Sequence, residues 1–376
     1  MQSVVQRLKL AAFPPAPSRA IELDFVRGIA ILLALGWHFN PTGHGSWYAV
    51  LLFPGHYFGW AGVDVFFVLS GFLIGGLVFK EYQKTGGFRE WRFLIRRAFK
   101  IWPILYLFLL LQLVSDHRPA SSYFFQNLFH VQNYFTTPIF HLWSLAVEEH
   151  FYLAAALLFP LALKTRYGKS HVPHVLVGIM ITSAALRYIA TYYGVDRHDI
   201  QIQSQYRIDA LACGVWLAYL NVFDREQFER LARNKALLLG LTIAGFTLLG
   251  LAGKEGPFRG AIGFTLSYMT GATLLLCCYR AKAITNASLL VRVVAATGVY
   301  SYAMYVYQMV PARFTDEILQ LPSNDIWTVL LRYGGTFLIA VVVTRLIERP
   351  FLAWRDRLFA PDPAPVPPVA PAQTAP

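Results

Sequence analysis

The chain has 376 residues, 56% of them hydrophobic and only 14% charged, where soluble domains carry roughly a quarter charged residues. That balance excludes an ordinary soluble enzyme. The formal charge of +12 would suit a nucleic-acid binder, but the cations fall between apolar runs, where they read as a topology signal.

The first residues, MQSVVQRLKLAAFPPAPSRA, have no apolar core followed by a cleavage site, so residues 1–19 are expected to be a cytoplasmic N-terminal segment. Apolar stretches near 20–39, 60–79, 95–115, 142–163, 174–193, 208–223, 236–253, 260–279, 293–313 and 326–346 then follow. Each approaches the ~20 residues that cross a bilayer. Runs such as LLLGLTIAGFTLLGLAG (237–253) are apolar all round, which excludes the alternating pattern of a membrane barrel. The prediction is an all-α, polytopic integral membrane protein with about ten transmembrane helices over residues 20–352, in the inner (cytoplasmic) membrane. Lys and Arg gather in alternate connections, for example 80–100 and 225–235, while 40–59 has none, so both termini are expected to be cytoplasmic. Cys213, Cys277 and Cys278 lie in apolar runs and suggest neither disulfides nor zinc. Residues 353–376 read as a disordered, Pro/Ala-rich cytoplasmic tail.

An ionisable group at membrane depth costs about 3 kcal/mol on insertion scales, so each is a functional candidate. In LDFVRGIAILLALGWHFN (23–40), Arg27 and His38 are eleven residues apart. Eleven residues return to one helix face, about 16 Å further along the axis. The alternatives are a snorkelling Arg27 paired with Asp24, and an interfacial His38 held by a neighbour. GVDVFFVLSGFLIGG (62–76) sets Asp64 near the outer end of its span, with Ser70 in a stripe of small residues suited to close packing. In FREWRFLIRRAFKIWP (88–103), Arg92, Arg96, Arg97 and Lys100 crowd one helix start beside Trp91 and Trp102. Singly these are positive-inside anchors; together they suit phosphate.

HLWSLAVEEHFYL (141–153) puts His141, Ser144, Glu148 and Tyr152 on one face, with Glu149 beside it. The carboxylates are expected at about the depth of His38, as a proton-passing pair or as a structural clamp. QYRIDALACGVWLAYL (205–220) places Arg207 and Asp209 at the outer mouth of its span. GVYSYAMYVYQ (298–308) lines another with tyrosines and ends in Gln308. The NAS at 286–288 is a sequon on a loop assigned to the cytoplasm.

These residues resemble the acyltransferase-3 membrane proteins, the group that includes lipopolysaccharide and peptidoglycan O-acetylases. LDFVRGIAILLALGWH, GVDVFFVLSGFLI, FLIRRAFKIWP, HLWSLAVEEHFYL, YRIDALACGVWLAYL, GVYSYAMYVYQ and the closing ERPF match its motifs in order, over about residues 20 to 352. The resemblance implies acetyl-CoA, or another acyl-CoA, as co-substrate and transfer to a hydroxyl of an extracytoplasmic glycan or glycolipid. Carried over by position, it implies catalytic roles for His38, Glu148 and Glu149. Arg27, Arg96, Arg97 and Lys100 would face the acyl-CoA. From the residues themselves, Asp24, Asp64, Ser70, His141, Trp143, Ser144, Tyr152, Arg207, Asp209, Tyr302 and Gln308 are expected to support the site. Gln308 stands where many members have histidine, and His150 where glutamine is usual. No soluble hydrolase-like domain is appended, so the membrane domain is expected to act alone or to pass product to a partner.

No metal is expected. Membrane lipids and the glycan are the expected partners, nucleic acid is not, and a homodimer stays open. His38 could act as general base or as nucleophile. The rival reading is a glycan or acyl-carrier transporter, since buried charges also form transport paths.

Overall fold

The computed structural model describes residues 20–39, 49–115, 123–135, 137–164, 168–252, 258–281, 284, 288–322 and 325–359. Most of the N-terminal segment, the NAS sequon's Asn286 and Ala287, and the tail beyond Phe359 lie outside the described residues. The described secondary structure is all helical. The principal helices are α1 (Ile21–Phe39), α2 (Ala49–Phe58), α3 (Gly62–Thr85), α4 (Glu90–Ser115), α5 (Trp143–Lys164), α6 (Gly168–Tyr192) and α7 (Ile208–Phe223). They continue with α8 (Arg225–Arg233), α9 (Lys235–Leu251), α10 (Phe264–Cys278), α11 (Leu289–Tyr307), α12 (Ile326–Val343) and α13 (Arg349–Leu358).

A helix occupies each of the ten apolar stretches. Among the described residues, seven helical segments are long and apolar enough to cross a membrane, or eight if α8 and α9, bent by 70°, count as one. α1 has 19 residues with Glu22, Asp24 and Arg27 among them, and α7 has only 16. The final helix runs on to Leu358, past the boundary expected at residue 352.

Glycine sets the closest approaches. A Cβ on Gly28 would fall inside the Val294 carbonyl, and one on Gly298 inside the Asp24 carbonyl, so α1 and α11 touch backbone to backbone. α3 and α7 meet the same way, Gly71 against Leu211 and Gly214 against Val68. Without a hydrophobic drive inside lipid, such close van der Waals packing is a main source of helix association.

Buried ion pairs add a second tie. Asp64 on α3 accepts from Arg207 at 2.6 Å, and Asp209 on α7 pairs with Arg187 on α6 at 2.7 Å; all four side chains are at most 2% exposed. Arg207 also lies over the Phe264 ring at 3.7 Å. Arg332 on α12 holds the far end of α1, donating to the Phe39 carbonyl at 3.2 Å and to Thr315 at 2.9 Å while pairing with Asp316.

Candidate active site

α1, α3, α4, α5 and α11 enclose a cavity of about 260 Å³. Arg27, Arg97 and Lys100 line it together with Ser70, Glu148, Tyr152 and Tyr302, and at its other end with Ser144 and Tyr305. The α3 wall runs from Val63 to Ile74, eleven residues or about 16 Å. The volume is just below the roughly 300–1,000 Å³ of drug-sized sites, so a thin arm fits and a whole nucleotide does not.

The hydrogen bonds in this cavity have a definite direction. Tyr152 donates its proton to Glu148 Oε2 at 3.0 Å, so the 2.9 Å contact with Ser70 is donated by Ser70. Ser70 therefore belongs to a polar chain as well as to a small-residue stripe. The Arg97 guanidinium sits 5.6 Å over the Tyr152 ring. Arg27 donates to Asp24 at 3.0 Å and Lys100 pairs with Glu348. Tyr302 donates to the Ile101 carbonyl at 2.7 Å.

Beyond Ser144 a bonded layer closes the cavity. Ser144 donates to the Tyr305 hydroxyl at 2.8 Å, and Tyr305 donates to the His141 carbonyl. His141 Nε2 donates to the Val306 carbonyl at 3.1 Å, which fixes its tautomer. On the far side the His38 ring lies 6.4 Å from that of His141 and 5.8 Å from Phe140. Gln308 is fully buried and donates to the Tyr305 carbonyl at 3.0 Å, bracing the same layer.

Two expectations are corrected here, and three further site candidates are placed. The carboxylates do not sit at the depth of His38: Glu148 is seven residues from His141, which lies in the turn that leads into α5, about 10 Å by helical rise, and its partners are Tyr152, Ser70 and Arg97. A direct His38–glutamate pair is therefore absent among the described contacts. Arg96 turns away from the cavity, 42% exposed and 4.0 Å from Asp356 on α13. Asp64, Arg207 and Asp209 are committed to the buried ion pairs, with Trp143 beneath Arg207 at 5.5 Å.

Glu149 points elsewhere. It lines a second, larger groove of about 900 Å³ between α4, α5 and α13, together with His130, His150 and Trp102. Arg97 lines both spaces and forms the wall between them. His150 is anchored to Ser204 at 2.7 Å. Three residues escaped the sequence reading. Arg187, alone in an apolar run, signalled a buried partner, and Glu348 lay within the ERPF motif. Tyr305 was hidden among ordinary-looking tyrosines.

A family model described as an acyltransferase domain matches residues 21–347. The chain belongs to the acyltransferase-3 family. Among curated relatives, the chain is 25% identical to "Peptidoglycan O-acetyltransferase OatA" of Listeria monocytogenes over 87% of its own length and 55% of that protein. It is 24% identical to "Putative peptidoglycan O-acetyltransferase YrhL" of Bacillus subtilis, over 90% of this chain and 56% of that one. A Staphylococcus aureus relative, "Putative O-acetyltransferase SACOL0978", is 30% identical over 53% of this chain and 34% of its own. The chain thus spans about half the length of the first two. No solved structure matches.

Proposed function

We propose that this acyltransferase-3 chain moves an acyl group, acetyl in the first instance, from a cytoplasmic acyl-CoA to a hydroxyl of an extracytoplasmic glycan or glycolipid. The reading takes ten crossings with both termini cytoplasmic, in the inner membrane, so that the Arg27 end of α1 is inner and the His38 end outer. The names of two of these relatives, which speak of peptidoglycan O-acetyltransferases, support acetyl as the group and a glycan as acceptor.

One observation carries the mechanism: a narrow cavity with Arg27, Arg97 and Lys100 on its wall reaches the Ser144–Tyr305–His141 layer, with His38 directly behind. The cations suit the phosphates of a nucleotide held at the inner mouth. The cavity's width suits the pantetheine arm alone. Once the Ser144–Tyr305–His141 layer parts at the outer end, the acceptor oxygen attacks the thioester carbonyl, His38 takes the hydroxyl proton, the C–S bond breaks, and the proton passes to the departing thiolate. His141, not a carboxylate, is the ionisable neighbour of His38 in this arrangement.

The test uses purified protein in nanodiscs with acetyl-labelled acetyl-CoA and a glycan. Label on the glycan is expected from the native chain and not from His38→Asn. Glycan movement without label would replace the reading with transport.

A further inference from the structure

Resting on the reading above, and naming the class of its acceptor, we infer that the Glu149 groove seats the lipid end of a lipid-borne glycan. A hydrocarbon chain lies along α4, and the first polar groups of the headgroup reach Glu149 and His130.

The walls argue for a chain. Trp102, Leu110 and Leu153 are exposed around the groove, and in a membrane-crossing protein such side chains face hydrocarbon. The floor argues against a chain alone. Glu149 Oε1 and both ring nitrogens of His130 are buried without hydrogen-bond partners, and the His130 residue is only 8% exposed. Unsatisfied polar atoms at that depth are costly, so a filling that supplies hydroxyls or amides there is favoured over plain alkyl chain.

The local depth of the membrane is consistent with a polar head at this point. α7 has 16 residues, about 24 Å, short of the ~30 Å hydrocarbon core. Short segments pack beside α5 at the same level: Ser204, in a single 3-10 turn, bonds His150, and the Tyr134 ring, in a bend, lies 6.0 Å from that of His150. Short, irregular segments at hydrocarbon depth occur only where protein or water covers them, and here they lie against α5 beside His150. From Glu149 back to His141 is eight residues, about 12 Å of helix, a span that a short oligosaccharide crosses to bring a hydroxyl to His38.

The experiment measures binding of dodecyl maltoside, methyl maltoside and dodecanol to the full chain in phosphatidylcholine nanodiscs. Dodecyl maltoside is expected to bind at least tenfold tighter than either of the others. Ala98→Trp and Leu153→Trp, which fill the groove, should erase that preference, and Glu149→Gln should reduce dodecyl maltoside to the level of dodecanol. Thermal melting identifies which of the two filling variants is folded, and a folded one decides. Equal binding of dodecanol and dodecyl maltoside, or an unchanged preference in a folded filling variant, overturns the inference. Transfer of label from acetyl-CoA is scored separately: a selective groove without transfer rejects the enzymatic reading and keeps the site.

Discussion

Glu148 and Glu149 are neighbours in the chain and line different spaces: Glu148 accepts from Tyr152 inside the five-helix cavity, while Glu149 faces the groove behind Arg97. One residue of helix turns a side chain by about 100°, enough to divide the pair between the two sides of the Arg97 wall. Their removal should therefore separate kinetically. Glu148→Gln is expected to lower label transfer to methyl and dodecyl glycosides alike. Glu149→Gln should spare the methyl glycoside and raise KM for the dodecyl one. Parallel losses on both acceptors would show that the two carboxylates act as one site.

Arg187 and Asp209 are nearly sealed from solvent, as are Asp64 and Arg207. Removing one partner of a buried pair leaves an uncompensated charge, at a cost of about 3–5 kcal/mol. Arg187→Met should accordingly lower the melting temperature and the folded yield sharply. The double variant Arg187→Met with Asp209→Leu should recover much of the loss. A thermal-shift comparison of the three proteins decides.

Lys100 faces the cavity while paired with Glu348, the acid of the ERPF motif. If its charge attracts the donor's phosphates, Lys100→Met raises KM for acetyl-CoA about tenfold, and Glu348→Gln, which removes only the paired carboxylate, does not raise it. A purely structural pair would instead make both substitutions lower stability and leave KM unchanged. Steady-state kinetics beside melting curves separate the two outcomes.

Gly28 and Gly298 bring α1 and α11 together right beside Arg27 and the cavity wall. Gly298→Ala has no room for its methyl against the Asp24 carbonyl, so the helices must part. The expected result is loss of monodisperse protein on size exclusion. Gly76→Ala on α3, where a Cβ meets nothing within 4 Å, serves as the neutral comparison.

By itself the sequence determined the helical class, the positions of the ten apolar stretches and several members of the site. Crossing a bilayer demands a countable run of apolar residues, and helical periodicity alone puts Ser144, Glu148 and Tyr152 on one face. It also marked Arg27 and His38 as sharing a stripe. Only the tertiary structure decided which polar groups meet. The partner of Arg187, the bonded layer between the cavity and His38, and the separation of His38 from both glutamates depend on how distant helices are shifted and rotated against one another. Those offsets are set by close packing at Gly28, Gly71, Gly214 and Gly298. Periodicity within one helix carries no information about the height of its neighbour.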